Sequence, residues 1–415
     1  MQQSNSFYWI IILVAAISMA MGNLLWSSIG LGLAAYFFMD LLSKMGKNIP
    51  IIELMATMAA LQWIVGPFID YHNDSYHYKY HMYVEESTYM AFVVPSVLAF
   101  WLGTRLFKQH SDLEEIGERV RSLLENYPRL PFIMVGVGLL IPYLSPLLPA
   151  SLGFVFYLLA NIKYIGVIYL LFSDNKNRWP VFWGTMAFTA IASIAAGMFH
   201  DLLLWAILSF TFVARELHLS LVRKFSFAIA GVILAMSIQS VKAEYRNTIW
   251  QGYTGNKLAL FTSLVVQQWS TGSIVNPNAD TDANVRLNQG WIISAIMKHV
   301  PEKEPYANGS TVTEAIESSL LPRFLAPNKK TAGGRENYER FTGFNISQST
   351  SMGISLVGEG YANYGVSGGI LFMFIWGVFI AWFWQKLWRL SAIYPTLLLW
   401  SPILFLQVIK AETEF

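Results

Sequence analysis

Stretches of about 20 apolar residues, almost free of charge, recur along this chain, and nothing else in it restricts folding as strongly. In hydrocarbon a backbone must satisfy its own hydrogen bonds, so such stretches become helices. Eleven spans are predicted: Phe7 to Met21, Leu24 to Leu42, Pro50 to Ile69, Ala91 to Phe107, Pro131 to Leu147, Ser151 to Phe172, Pro180 to Met198, Leu202 to Ala214, Phe225 to Val241, Gly368 to Trp384 and Tyr394 to Ile409. Composition agrees, with 54% hydrophobic and only 13% charged residues and a mean hydropathy of +0.43. The fold class expected is therefore an all-α polytopic membrane protein of about eleven transmembrane helices with one large extracytoplasmic loop. The N-terminal stretch lacks a positive region and a small-residue cleavage site, so it reads as a retained span and not as a signal peptide.

Short loops rich in Lys and Arg stay on the cytoplasmic side. Such residues gather at Lys44 and Lys47, at Arg105, Lys108, Arg119, Arg121 and Arg129, at Lys176 and Arg178, at Arg215, Arg223 and Lys224, and at Lys386 and Arg389, on every second loop. The short loops between them hold only Lys79, so the N-terminus is expected to be cytoplasmic. The formal net charge of +2 reflects this bias and gives no footprint for a nucleic-acid partner. Without cysteine there is neither a disulfide framework nor a thiolate metal site.

Two segments depart from the apolar pattern. Asp112 to Glu125 places Leu113, Ile116, Val120 and Leu123 at helical spacing between charges, which reads as an amphipathic helix at the cytoplasmic interface, either a connector or a lipid-binding element. The second runs from about Lys242 to Val357, dense in Asn, Gly, Ser, Thr and charge, and insertions of this length are usually functional. The chain thus divides into an N-terminal bundle over 1–241, a loop region over 242–357 and C-terminal spans over 358–415. Within the loop, Leu287, Trp291, Ile292, Ala295 and Ile296 keep helical register. Thr311 and Glu314 match a capping box, opening a short helix that Pro322 ends.

The loop concentrates cations, among them Arg246, Arg286, Arg323, Lys330 and Arg340, balanced by Glu302, Glu304, Glu314, Glu317, Glu336 and Glu339. Arginine presents a fixed fork of donors that suits phosphate oxygens, although a solvated, charge-balanced loop has the same composition. His299 is the loop's one histidine and a candidate general base; a structural role is the plainer reading. Glu359 sits in Gly358-Glu-Gly-Tyr-Ala-Asn-Tyr-Gly365, where glycines allow close backbone approach and a carboxylate can meet a hydroxyl, or simply close a helix end. His77 and His81 would share a metal only on a regular helix, and with the tyrosines around them an aromatic interface belt or a sugar-stacking platform is the stronger reading. Lys163 falls inside a predicted span with Glu53 as its expected partner.

Over about Arg286 to Gly369 the order of motifs resembles the Wzy-type oligosaccharide repeat-unit polymerases. The residues that carry the likeness are Arg286 with Gln289 and Trp291, Pro322-Arg323-Phe-Leu-Ala-Pro327 with Lys329 and Lys330, Ser349-Thr350, and Gly358 to Gly365 ahead of a glycine-bearing span. The resemblance implies a glycosyltransferase of the bacterial inner membrane with the GT-C-type polymerase and ligase architecture, needing no nucleotide sugar, cofactor or metal. Its substrates would be undecaprenyl-diphosphate-linked glycans, with a chain-length regulator as a possible protein partner. It further implies Arg286, Arg323, Arg340, Lys330 and Arg246 as ligands of the lipid diphosphate, Glu359 ahead of His299 as base, and Trp291, Tyr361 and Asn363 as glycan contacts. Family members commonly carry a further helix beyond the segment ending at Phe415. The alternatives left open are an O-antigen ligase with a different acceptor, a transporter or flippase for lipid-linked sugars, and a non-catalytic scaffold.

Overall fold

The computed structural model describes residues 7–73, 79–107, 112–144, 147, 152–271, 287–320, 334–347, 352–394 and 396–415. All regular elements among them are helical. They are α1 (Tyr8–Ala20), α2 (Leu25–Lys44), α3 (Ile51–Tyr71), α4 (Glu86–Thr104), α5 (Leu113–Asn126), α6 (Leu130–Leu144), α7 (Gly153–Leu171), α8 (Arg178–Ala196), α9 (His200–Glu216), α10 (Leu221–Trp250), α11 (Lys257–Ser270), α12 (Gly290–His299), α13 (Ser310–Leu320), α14 (Arg335–Thr342), α15 (Ser355–Leu390) and α16 (Ser401–Leu404). Seven of these, α2, α3, α4, α7, α8, α10 and α15, are long and apolar enough to cross a bilayer, and an eighth span arises if α5 and α6, bent by 92°, count as one. The chain is a multi-pass α-helical membrane protein.

Four of the eleven expected spans take other forms. The first is the 13-residue α1 and the eighth is the 17-residue α9, while the fifth belongs to the bent α5–α6 pair. The last, Tyr394 to Ile409, is a 3₁₀ turn over Leu397–Trp400 followed by the four-residue α16 and turns. Pro402, which has no N–H to donate, stands at the start of α16. Leu398, Leu399, Phe405, Leu406 and Ile409 are buried while Tyr394 and Leu404 are exposed, so protein covers most of the apolar side chains of this irregular stretch.

The cation-rich loops converge on one end of the bundle. Leu113 N donates to Lys47 O (3.0 Å), Arg119 to Ser391 O (3.0 Å), Arg121 to Phe172 O (3.3 Å) and Lys224 Nζ to Met45 O (2.5 Å). Arg215 pairs with Glu114 (3.0 Å) and Arg178 with Glu216 (3.1 Å). The amphipathic α5 lies here, capped by Asp112, whose carboxylate accepts from Glu114 N (2.9 Å). Its apolar residues Leu113, Ile116, Val120 and Leu124 are buried against the bundle, with Leu123 partly so, so the apolar face of α5 is docked on protein.

At the same end Lys44 joins Asp40 (3.0 Å) and Glu53 (2.5 Å), and Arg105 joins Asp40 (3.0 Å). Glu53 therefore does not serve Lys163 as expected: it stands in the first turn of α3, where the last turn of α2 delivers Lys44.

The spans α4 and α15 are seated closely. A Cβ on Gly377 would lie 2.1 Å from Phe100 O, and one on Gly103 2.3 Å from Phe374 O, so small residues set this crossing. The polar region predicted from Lys242 starts inside α10, which continues to Trp250. It then opens as a hairpin: α11 returns beside α10, with Trp269 Nε1 donating to Ser237 Oγ (3.2 Å). The segment from 287 caps the end of the bundle opposite the cationic loops, where Gln289 N donates to Gln62 O (3.1 Å) and Tyr83 N to Ser294 Oγ (3.1 Å).

Candidate functional site

Gly365 divides α15. Its φ of 67° and ψ of −160° are open only to glycine at ordinary cost, and they separate a short helix over 355–364 from the long membrane helix that follows. Gly360 of the short helix packs against Gly369 and Phe372 of the long one. Ser355 opens the short helix at a φ of 62° while buried, and its hydroxyl accepts from Gly358 N (3.2 Å). The other end is satisfied from outside: Ala307 N donates to Ala362 O (3.0 Å) and Asn308 N to Asn363 O (3.1 Å), which covers carbonyls that a terminating helix leaves without partners.

That docking brings the first turn of α13 onto Glu359. Glu359 is 1% exposed, and its Oε1 accepts from Thr311 Oγ1 at 2.7 Å. Thr311 Oγ1 in turn accepts from Asn363 Nδ2 (2.7 Å), which also donates to Glu359 O (2.9 Å), while Asn363 Oδ1 accepts from Gly309 N (2.9 Å). Glu359 Oε2 accepts from Phe415 N (2.6 Å). A buried carboxylate held by a hydroxyl and an amide network keeps a fixed orientation, and a fixed carboxylate can take a proton from a hydroxyl delivered to it. Tyr361, 7% exposed, reaches Val300 O (3.5 Å), and its ring meets those of Phe92 and Tyr306. Tyr361, Asn363 and Glu359 thus belong to one packed unit.

The other candidates lie elsewhere or in different company. His299 ends α12, partly exposed, with its ring against Gly343. Arg340 pairs with Glu304 (2.5 Å), and its guanidinium lies 4.7 Å from the Phe341 ring centroid. Trp291 is 2% exposed, with Tyr80 (5.0 Å between ring centroids, tilted) and Tyr338 (6.3 Å, edge-on) beside it, so its ring is enclosed by protein. Arg246 donates to Gly197 O (2.6 Å) and stacks over Trp250, joining Tyr245, Trp250 and Lys257 in satisfying the last carbonyls of α8. Arg286, Arg323 and Lys330 fall outside the described residues, as do Ser349, Thr350 and His77. Among the described residues no group of three or more His, Asp or Glu side chains is placed to hold a metal ion.

Thr311 is the member of the cluster that sequence reasoning misassigned. Its short helix forms as expected, from Ser310, but the hydroxyl turns to Glu359 instead of capping. No spacing rule links residues so far apart in the chain; only the docking of the 306–309 segment on the short helix does.

Lys163 is a second polar feature. It is 8% exposed in α7, donates to Ala160 O (2.8 Å) and stands 4.6 Å from the Tyr164 ring centroid. Around it Tyr157 OH donates to Asp201 Oδ1 (3.1 Å), Trp205 Nε1 donates to Asn161 Oδ1 (2.8 Å), and Tyr164 stacks on Trp205 at 4.1 Å.

These observations define a class: an all-helical, multi-pass membrane protein with a buried carboxylate cluster at the lip of a broken membrane helix. Comparison with protein-family models, with curated proteins and with solved structures finds no match for the chain.

Proposed function

We propose that this protein is a Wzy-type polymerase, transferring a growing glycan from undecaprenyl diphosphate to the terminal sugar of another lipid-linked repeat unit at the outer face of the bacterial inner membrane. The observation that carries the reading is the Glu359–Thr311–Asn363 cluster, in which Glu359 and Asn363 belong to the Gly358 to Gly365 motif by which the sequence resembles that family. The multi-pass frame supports it, and so does the docking of α12 and the residues just before it, through Gln289 and Ser294, on the bundle end remote from the cationic loops. In this reading those loops are cytoplasmic, the N-terminus with them, and the architecture is of the GT-C polymerase and ligase type.

The acceptor hydroxyl oxygen attacks the anomeric carbon of the donor as the bond to the diphosphate breaks. The lipid diphosphate departs with the electron pair, and the hydroxyl proton passes to Glu359. Reaching Glu359 requires the Phe415 N–H contact to give way. Cationic donors facing the departing diphosphate supply the main electrostatic stabilisation, a role we assign to Arg286 and Arg323, with Lys330 and Arg340 behind them. His299 is the alternative base.

The test is deletion of the gene in its native host, complemented with wild type, Glu359→Gln or Arg323→Ala at equal membrane levels. Surface glycan is then resolved beside the lipid-linked pool. The expected result is single repeats after deletion, a ladder with wild type and no ladder with either variant. A ladder that survives deletion overturns the reading. Unligated polymer accumulating in the lipid pool would assign a ligase instead.

A further inference from the structure

Glu359 Oε1 accepts from Thr311, whereas Oε2 accepts from the Phe415 N–H at 2.6 Å. A backbone N–H and a substrate O–H both donate to carboxylate lone pairs, so the two compete for this oxygen. The Phe415 amide thus stands where a substrate hydroxyl would donate. Glu414 ties the segment that carries it: Oε1 accepts from Asn337 Nδ2 of α14 (3.2 Å), and Oε2 from Ile354 N, just ahead of α15 (3.4 Å). Gly353 passes beside the same segment, where a Cβ would lie 2.4 Å from Glu412 O. The Phe415 ring meets Trp376 edge-on at 5.3 Å, and Phe415 is 38% exposed.

The closed position is held loosely. Val408 to Ala411 wall a cavity together with residues of α3, α4 and α15, Trp63 and Trp376 among them. The indole N–H of each of these tryptophans is buried without a partner among the described residues. A buried donor left unbonded costs about 1–3 kcal/mol, and side chains that line a cavity forfeit contacts on that side. Both Glu414 bonds lie at or beyond the long end of the usual range. Lifting 410–415 therefore costs less than unfolding the helices it rests on.

We propose that 410–415 is a gating strap: closed, it fills the hydroxyl position on Glu359, and open, it admits a substrate hydroxyl to that carboxylate. The proposal rests on the proposed function for the identity of the hydroxyl, on the terminal sugar of the acceptor, and adds the control of access to it.

The test uses the full chain in lipid nanodiscs with the substitutions Asn337→Cys and Glu414→Cys. The sequence has no cysteine of its own, so a short bis-methanethiosulfonate bridges this pair alone, and reductant opens the bridge. The readout is the rate at which dicyclohexylcarbodiimide, a probe of carboxyl groups in apolar surroundings, modifies Glu359. Peptide mass spectrometry follows it, with Glu359→Gln as the blank. Bridged protein is expected to label at least about tenfold more slowly than the same protein after reduction. Glu414→Ala, which releases the strap, is expected to label about tenfold faster than wild type.

Equal rates with the bridge closed and open overturn the proposal, and so does a pair that fails to bridge, since the strap then does not lie on α14. Unchanged labelling in Glu414→Ala overturns it as well. If one of the two variants does not fold, the other decides alone. In proteoliposomes with lipid-linked repeat units, polymer formation is expected to stop with the bridge closed and return on reduction. Gated labelling in a protein that makes no polymer keeps the strap and removes only the polymerase reading. Ungated labelling in an active polymerase removes only the strap.

Discussion

Replacing Thr311 by valine exchanges a hydroxyl for a methyl of nearly the same size, so its effect isolates the hydrogen bonds. The donor to Glu359 Oε1 at 2.7 Å disappears, while Asn363 Nδ2 keeps Glu359 O as an acceptor. The main loss is one bond to a charged acceptor, about 1.5–3 kcal/mol. The start of α13 is docked through that bond and through the amides of Ala307, Asn308 and Gly309, so local opening of this segment should become easier by the same amount. Amide hydrogen exchange at 307–309 in detergent is therefore expected to quicken by about 10- to 100-fold, with exchange in the membrane helices unchanged. Thr311→Ser keeps the hydroxyl and should exchange much as wild type does. If Thr311→Val exchanges no faster than wild type, or Thr311→Ser as fast as Thr311→Val, the hydroxyl does not hold Glu359 and the cluster is not the organised unit described above.

Three further outcomes follow from the same geometry. Gly365→Ala forces a side chain into a backbone region that only glycine enters freely, costing about 1–3 kcal/mol; a lower aggregation temperature in detergent than wild type is expected, and an unchanged one would mean the break relaxes without strain. Gly377→Leu puts a side chain where even a Cβ lies 2.1 Å from Phe100 O, so α4 and α15 must separate, and cysteine crosslinking across this crossing should fall sharply. The Glu339 carboxyl is held below the usual carboxylate range by the Ile346 N–H and by Arg335. The order it gives to the 334–347 segment is therefore complete above the unfolded carboxylate range and lost as the pH falls through the lower folded value. Proteolysis within that segment should accelerate on acidification through that window in wild type but not in Glu339→Gln, and equal rates would show that the carboxylate does not order it.

Much of the frame was legible because hydrocarbon imposes one rule everywhere: long apolar runs become helices, and α2, α3, α4, α7, α8, α10 and α15 fall where such runs were read. The rule reports burial from water, however, and does not say whether lipid or protein does the burying. Tyr394 to Ile409 is apolar enough to span and instead forms short turns whose apolar side chains are largely covered by protein. The break at Gly365 was equally hidden, since a glycine inside an apolar run serves close packing as readily as a turn, as Gly377 does.

Side-chain roles were less legible than elements. Glu359 was singled out for the glycines around it, but its contact with Thr311 depends on tertiary docking. The resemblance implies Arg246 as a phosphate ligand, and what its sequence position does not show is that α8 ends where its carbonyls need donors, one of which Arg246 Nε supplies. Trp291 keeps its predicted helical register, but register does not reveal that the rings of Tyr80 and Tyr338 lie beside it. Glu53 was paired with Lys163 because both were intramembrane charges, although in sequence Lys44 lies much closer and takes it.

Reconstitution tests the central claim most directly. Purified full-length chain in proteoliposomes, given lipid-linked repeat units from its host and nothing else, is followed for both longer lipid-linked glycans and released undecaprenyl diphosphate. The account predicts a ladder with one lipid diphosphate released per new linkage, abolished in Glu359→Gln. Repeat units that stay single, or that only cross the bilayer, would contradict it.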